Sequence, residues 1–162
     1  LEEWIMKRML LALAIAVTTA CGEPIDVAKA VRLEAVSTGW YGAGISNGKN
    51  KIVPAVAFKL KNVSSQPLNA LQINAVFRRA GSNEEFGAEF RPVSGSGQLA
   101  ASDTTDTLTL KGSLGYTGPD PAEALLQNSQ FVDAKVEVFV KAGSGQWTRV
   151  GEFPVARQLN GN

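Results

Sequence analysis

The segment Val132-Asp133-Ala134-Lys135-Val136-Glu137-Val138-Phe139-Val140-Lys141 alternates small or β-branched apolar residues with charged ones, Phe139 excepted. Successive side chains of a strand point to opposite faces. This spacing therefore sets Val132, Ala134, Val136, Val138 and Val140 against a core and turns Asp133, Lys135, Glu137 and Lys141 to water. The same period recurs upstream. Val31, Leu33 and Ala35 alternate with Arg32 and Glu34. Val56, Phe58 and Leu60 alternate with Ala57, Lys59 and Lys61. Leu71, Ile73, Ala75 and Phe77 alternate with Gln72, Asn74 and Arg78. Phe86, Ala88 and Phe90 form a shorter set, Thr105 to Leu110 is rich in β-branched residues, and Trp147 to Val155 closes the series.

Turn-forming clusters separate these runs: Asn47-Gly48, Ser64-Ser65-Gln66-Pro67, Gly81-Ser82-Asn83, Ser94-Gly95-Ser96-Gly97 and Gly143-Ser144-Gly145. About seven short strands with such punctuation predict an all-β fold, a two-sheet β-sandwich of Ig-like topology over residues 31–158, with a β-barrel as the alternative. The cysteine pair and intervening Trp of antibody domains are absent, so the reading concerns architecture alone. Gly118 to Gln127 breaks the pattern and reads as one short crossover helix, with Asp120 as N-cap, Pro121 at N1, Glu123 at N3, and Leu125 and Leu126 facing the sandwich. Residues 159–162 are left as a tail.

Ahead of the strands lies a different kind of segment. Lys7 and Arg8 precede an apolar run from Met9 to Val17, then Thr18, Thr19, Ala20 and Cys21. As a helix, Met9 to Ala20 reaches roughly 18 Å, against about 30 Å for a bilayer core. The run therefore reads as the apolar region of a secretion signal over residues 1–20. Glu2 and Glu3 are out of place in a basic leader, which makes Met6 the natural start and sets residues 1–5 outside the fold. The Thr19-Ala20-Cys21 end resembles the lipobox of bacterial lipoprotein precursors, although Thr18 stands where that family usually carries Leu. The resemblance implies that Cys21 becomes the first mature residue and carries lipid. It also implies an extracytoplasmic location, with the outer membrane favoured because Gly22 is not the Asp that retains such proteins at the inner membrane. Simple secretion, or a soluble periplasmic form, with cleavage after Ala20 remains the alternative. Residues 21–30 would be a lipid-anchored tether, so the domain sits close to its membrane. Phe58 to Leu68, with its Asn-x-Ser-Ser turn followed by Pro67-Leu68, resembles the extracytoplasmic β-sandwich domains of FxLYD type often attached to bacterial lipoproteins. This implies an architecture and no activity.

Composition narrows the chemistry. The chain has no histidine and one cysteine. Cys21 has no intramolecular disulfide partner, and lipidation would give an otherwise lone thiol a purpose. Without histidine the commonest general base and metal ligand are missing, and no Ser-His-Asp or Cys-His device can be built. The leader takes Lys7 and Arg8 from 16 basic residues and Glu2 and Glu3 from 15 acidic ones, leaving a net charge of +1. That balance leaves no electrostatic footprint for nucleic acid.

Candidate sites are few. Gly39-Trp40-Tyr41-Gly42 sets two aromatics between glycines, and Trp40, Tyr41 and Trp147 are the residues that would contact a partner protein or a glycan. Either Trp40 or Tyr41 could instead cover a core edge. Glu84, Glu85, Glu89, Asp103, Asp106, Asp120 and Asp133 are the acidic candidates for a carboxylate pair. Asp103 and Asp106 lack a calcium-loop pattern. Lys59, Lys61, Arg78, Arg79 and Arg91 could form a basic patch on one sheet face, and Asn62-Val63-Ser64 matches a glycosylation sequon that reads as incidental. The sequence thus implies a non-enzymatic binding or structural module at the cell envelope, working through contact with another protein. A carbohydrate- or peptidoglycan-binding module is the alternative, and no metal or cofactor is expected.

Overall fold

A computed structural model describes residues 25–160. The leader and residues 21–24 of the tether, Cys21 among them, lie outside the described residues. Nine strands form two sheets: β1 (Val31–Ser46), β2 (Lys49–Asn62), β3 (Leu71–Arg79), β4 (Glu85–Pro92), β5 (Leu108–Lys111), β6 (Tyr116–Gly118), β7 (Ala134–Ala142), β8 (Thr148–Pro154) and β9 (Leu159–Asn160). One sheet runs β5-β2-β1-β9, with β6 also on β2, and the other runs β4-β3-β7-β8. The two sheets are separate, so the molecule is a sandwich and not a closed barrel. Lettered as in immunoglobulin domains, β1, β2 and β5 take the A, B and E positions and β3, β7 and β8 take C, F and G, with β4 as C′.

The alternating segments fill the space between the sheets. Val136, Val138 and Val140 are fully buried opposite Phe77, Ala75 and Ile73 of β3. Phe58, Leu60 and Val56 of β2 close the core from the other side, also with no exposure. Burying a side chain of this size contributes about 1.5–3 kcal/mol.

β1 and β2 form a long hairpin around Asn47-Gly48, whose φ angles of 51° and 74° match the turn type that follows the twist of paired strands. β2 carries Pro54, whose carbonyl points to the β5–β6 side and accepts from Gly112 N–H at 2.8 Å. In an antiparallel strand the N–H and C=O of one residue share a side. The missing N–H thus falls on that edge, where the ladder along β2 breaks between Lys111 and Tyr116 and separates β5 from β6.

Three expectations need correction. Residues 27–30, read as tether, form one helical turn, α1 (Val27–Ala30), with Val27 and Ala30 in the core. Both apolar side chains find the gap beside β7 and β8, so the packed domain begins before residue 31. Leu159 and Asn160, read as tail, pair in parallel with Trp40 and Tyr41. The crossover helix, α2 (Ala122–Leu125), is a single turn capped at Pro121, without a side-chain cap from Asp120. Its Leu125 and Leu126 are buried as expected.

Candidate functional site

The position of the aromatic pair is decided by one residue. Ala35 adopts φ 51°, and the β1–β2 register slips between Glu34 and Ser37. Two residues, Ala35 and Val36, then oppose Phe58 alone. A one-residue bulge exchanges the two faces of everything that follows. Before it Val31 and Leu33 face inward; after it Val36, Thr38 and Trp40 do. Trp40 is fully buried. Its ring lies 4.9 Å from Phe131, 5.7 Å from Tyr116 and 5.8 Å from Phe86, centroid to centroid. Tyr116 ties this cluster to the chain, since its hydroxyl donates to Val132 O and accepts from Val132 N–H. Trp40 is therefore a core residue and cannot contact a partner. Tyr41 points to the outer face, half-buried, with Lys111 Nζ 4.1 Å above its ring.

A second bulge reorders β4. Gly87 adopts φ 100°, and the pairing slips between Phe77 and Arg78. Phe86 stays inside, whereas Ala88 and Phe90, expected on the same face as Phe86, turn outward. Phe90 is 56% exposed and Trp147 is 39% exposed. Their rings meet edge-on, 5.8 Å apart at 85°, and Lys141 Nζ lies 5.1 Å over the Trp147 ring. Of the three expected contact residues, Trp147 is the one that stands out from the surface, and Phe90 is its unexpected neighbour. A glycan platform needs rings that present a shared flat face, and this edge-on pair presents none.

Of the acidic candidates, Glu84, Glu85 and Asp133 are held in ion pairs. Arg78 binds Glu85 at 2.8 Å and Glu137 at 2.9 Å, and Arg149 binds Glu137 at 2.9 Å and Glu152 at 3.2 Å. The hydrogen bond from Arg78, with help from Arg149, holds the Glu137 carboxyl below its ordinary range against the opposing effect of burial. The hydrogen bond from Arg157 does the same for Asp133, and Arg79 pairs with Glu84 at 3.1 Å. The basic patch does not form. Lys59 and Lys61 lie on β2 and Arg78, Arg79 and Arg91 on the opposite sheet. Among the described residues no three acidic, Cys or His side chains converge on a metal position. Asn62 of the sequon is fully buried. Its Nδ2 donates to Gln66 O, Leu99 O and Ala100 O and its Oδ1 accepts from Ser64, so the amide fastens the end of β2 to the neighbouring loop. An open depression of about 640 Å³ runs beside β8 over Phe153 and Val155 and is flanked by the Asp133–Arg157 and Lys135–Glu152 pairs.

No family model and no curated protein matches the chain. Among solved structures, a Northeast Structural Genomics Consortium target, SoR45, is 15% identical with a TM-score of 0.46, over 80% of this chain and 89% of that one. A protein from Archaeoglobus fulgidus is 13% identical with a TM-score of 0.39, over 77% and 98%. The GH20 exo-β-N-acetylglucosaminidase from Vibrio harveyi, solved with N-acetylglucosamine, is 12% identical with a TM-score of 0.26. The match covers 78% of this chain and 18% of that enzyme. Likenesses at this level carry neither activity nor ligand to this chain.

Proposed function

We propose that the mature protein is a lipid-anchored, non-enzymatic binding module of the cell envelope that meets a protein partner at the end of the sandwich away from its anchor. The direction of β1 carries this reading. The chain enters the fold at α1, and β1 then runs 16 residues from Val31 to Ser46, roughly 50 Å at about 3.3 Å per residue. Whatever holds Cys21 to a membrane holds the α1 end near it, and the β1–β2 turn faces away. That far end carries Ile45, 77% exposed beside the Asn47-Gly48 turn, and Leu114, 58% exposed. Loops gathered at one end are a recurring contact surface of Ig-like sandwiches. No helix of the described residues is long and apolar enough to cross a membrane.

A photo-crosslinking side chain placed at Ile45 tests the contact in cells. The reading expects one discrete cross-linked protein from position 45 and none from position 59, whose exposed Lys lies on the sheet face far from the turn. Equal background from both positions would contradict it.

A further inference from the structure

Six large apolar side chains are exposed among the described residues, and their distribution is uneven. Ile45 and Leu114 occupy the far end. The other four, Ile25, Val63, Phe90 and Trp147, gather toward the end where the chain enters. Ile25 immediately precedes the α1 turn and its Asp26 cap. Val63 N–H donates to Ala30 O at 2.8 Å. Trp147 sits in the β7–β8 connection, and Phe90 lies opposite Asn74 on the half of β4 nearest that connection. Lys141, which forms none of the ion pairs among the described residues, lies over the Trp147 ring.

Aromatic rings beside an extended lysine suit the boundary between headgroups and acyl chains, where one end of the side chain is apolar and the other wet. The geometry also fits the anchor. Three residues lie between Cys21 and Ile25, so the four Cα steps reach at most about 14 Å. We propose that this end of the domain rests on the phospholipid surface, with Phe90 and Trp147 in the interfacial layer and Lys141 at the phosphates. The domain would then lean on its four-stranded sheet and present the β1–β2 turn outward. The idea rests on the anchored reading for what holds the protein there in the cell.

The test supplies its own anchor. Residues 21–162 include every described residue of the fold, and Cys21 is the single cysteine. The thiol can be coupled to a maleimide-bearing phospholipid in vesicles of zwitterionic phosphatidylcholine, with or without anionic phosphatidylglycerol. Within residues 21–162 the tryptophans are Trp40 and Trp147, and the Trp147→Phe variant isolates the Trp40 background. Brominated phospholipids should quench the Trp147 emission and leave that of Trp40 unchanged. Anionic lipid should raise the docked-to-undocked ratio about fivefold through Lys141, and Lys141→Glu should remove that gain. Phe90→Asp, at an exposed position, should reduce quenching without changing the melting temperature. Trp147 emission that is indifferent to bromine in protein floating with the vesicles would overturn the proposal and leave the patch to a protein partner. Failure of the lipoprotein reading would instead appear as an unmodified Cys21 in protein purified from cells, whatever the vesicles report.

Discussion

Replacing Trp40 with Ala should destabilise the domain severely, whereas replacing its neighbour Tyr41 should not. Trp40 has no exposure and packs against three aromatic rings within 5.8 Å. Truncating a buried Trp or Phe to Ala costs about 3–5 kcal/mol, from lost transfer energy and the cavity left behind. Edge-to-face partners add about 0.5–1.5 kcal/mol per pair beyond burial, which moves the expectation to the upper half of that range. A domain of this length loses about 2–4 °C per kcal/mol, so the melting temperature should fall by roughly 10–20 °C. Tyr41 lies on the outer face and gives up a cation–π contact with Lys111, about 0.5–1 kcal/mol for an exposed site. Urea titration of both variants, with the slope unchanged, measures the difference directly. Equal losses, or a larger loss for Tyr41→Ala, would mean that the bulge at Ala35 does not set the register.

The same bulge makes a second forecast. Ala35 holds φ 51° without the freedom of glycine, so Ala35→Gly should raise stability by up to about 1 kcal/mol in the same titration, and a loss would show the conformation is not strained. Glu137 lies on the outer face but is 14% exposed and joins Arg78 to Arg149. Glu137→Lys should therefore cost about 1–3 kcal/mol, more than a solvated strand position would. Val136→Asp, which buries an unpaired carboxylate, should prevent folding. Acid should act through Glu137. Its carboxyl titrates below the ordinary 4.5 in the folded chain, so its stabilisation is complete above that value and is lost as pH falls through the lower folded value. Glu137→Gln should flatten the decline of urea midpoint with acid, and an unchanged slope would assign the decline to other carboxylates.

The strands of the core were legible because their period is two and their inward residues are apolar: Val136, Val138 and Val140 read correctly from the sequence and are buried. What the sequence hides is where a strand changes face. Ala35 carries no mark of a bulge, so Trp40 and Tyr41 were equivalent candidates until the register was known. Gly87 does carry one, since an isolated glycine between apolar residues signals a bulge, and it separates Phe86 from the exposed Phe90. β6 and β9 escaped notice because three and two residues are too few for a period. Glu137 looked like an ordinary solvated position, because its two arginine partners arrive from β3 and β8. The basic residues were each visible, but which sheet they belong to depends on topology that no local pattern carries.

The proposed function requires that Cys21 carry lipid, and the mass of the intact protein recovered from membranes tests that most directly. Several acyl chains on one cysteine would make attachment effectively permanent, whereas a single chain gives only marginal binding. The prediction is a mass above that of residues 21–162 by a diacylglycerol and a further acyl group, lost together with membrane recovery in Cys21→Ser. A wild-type mass equal to that of the bare polypeptide would contradict it and leave a secreted sandwich without an anchor.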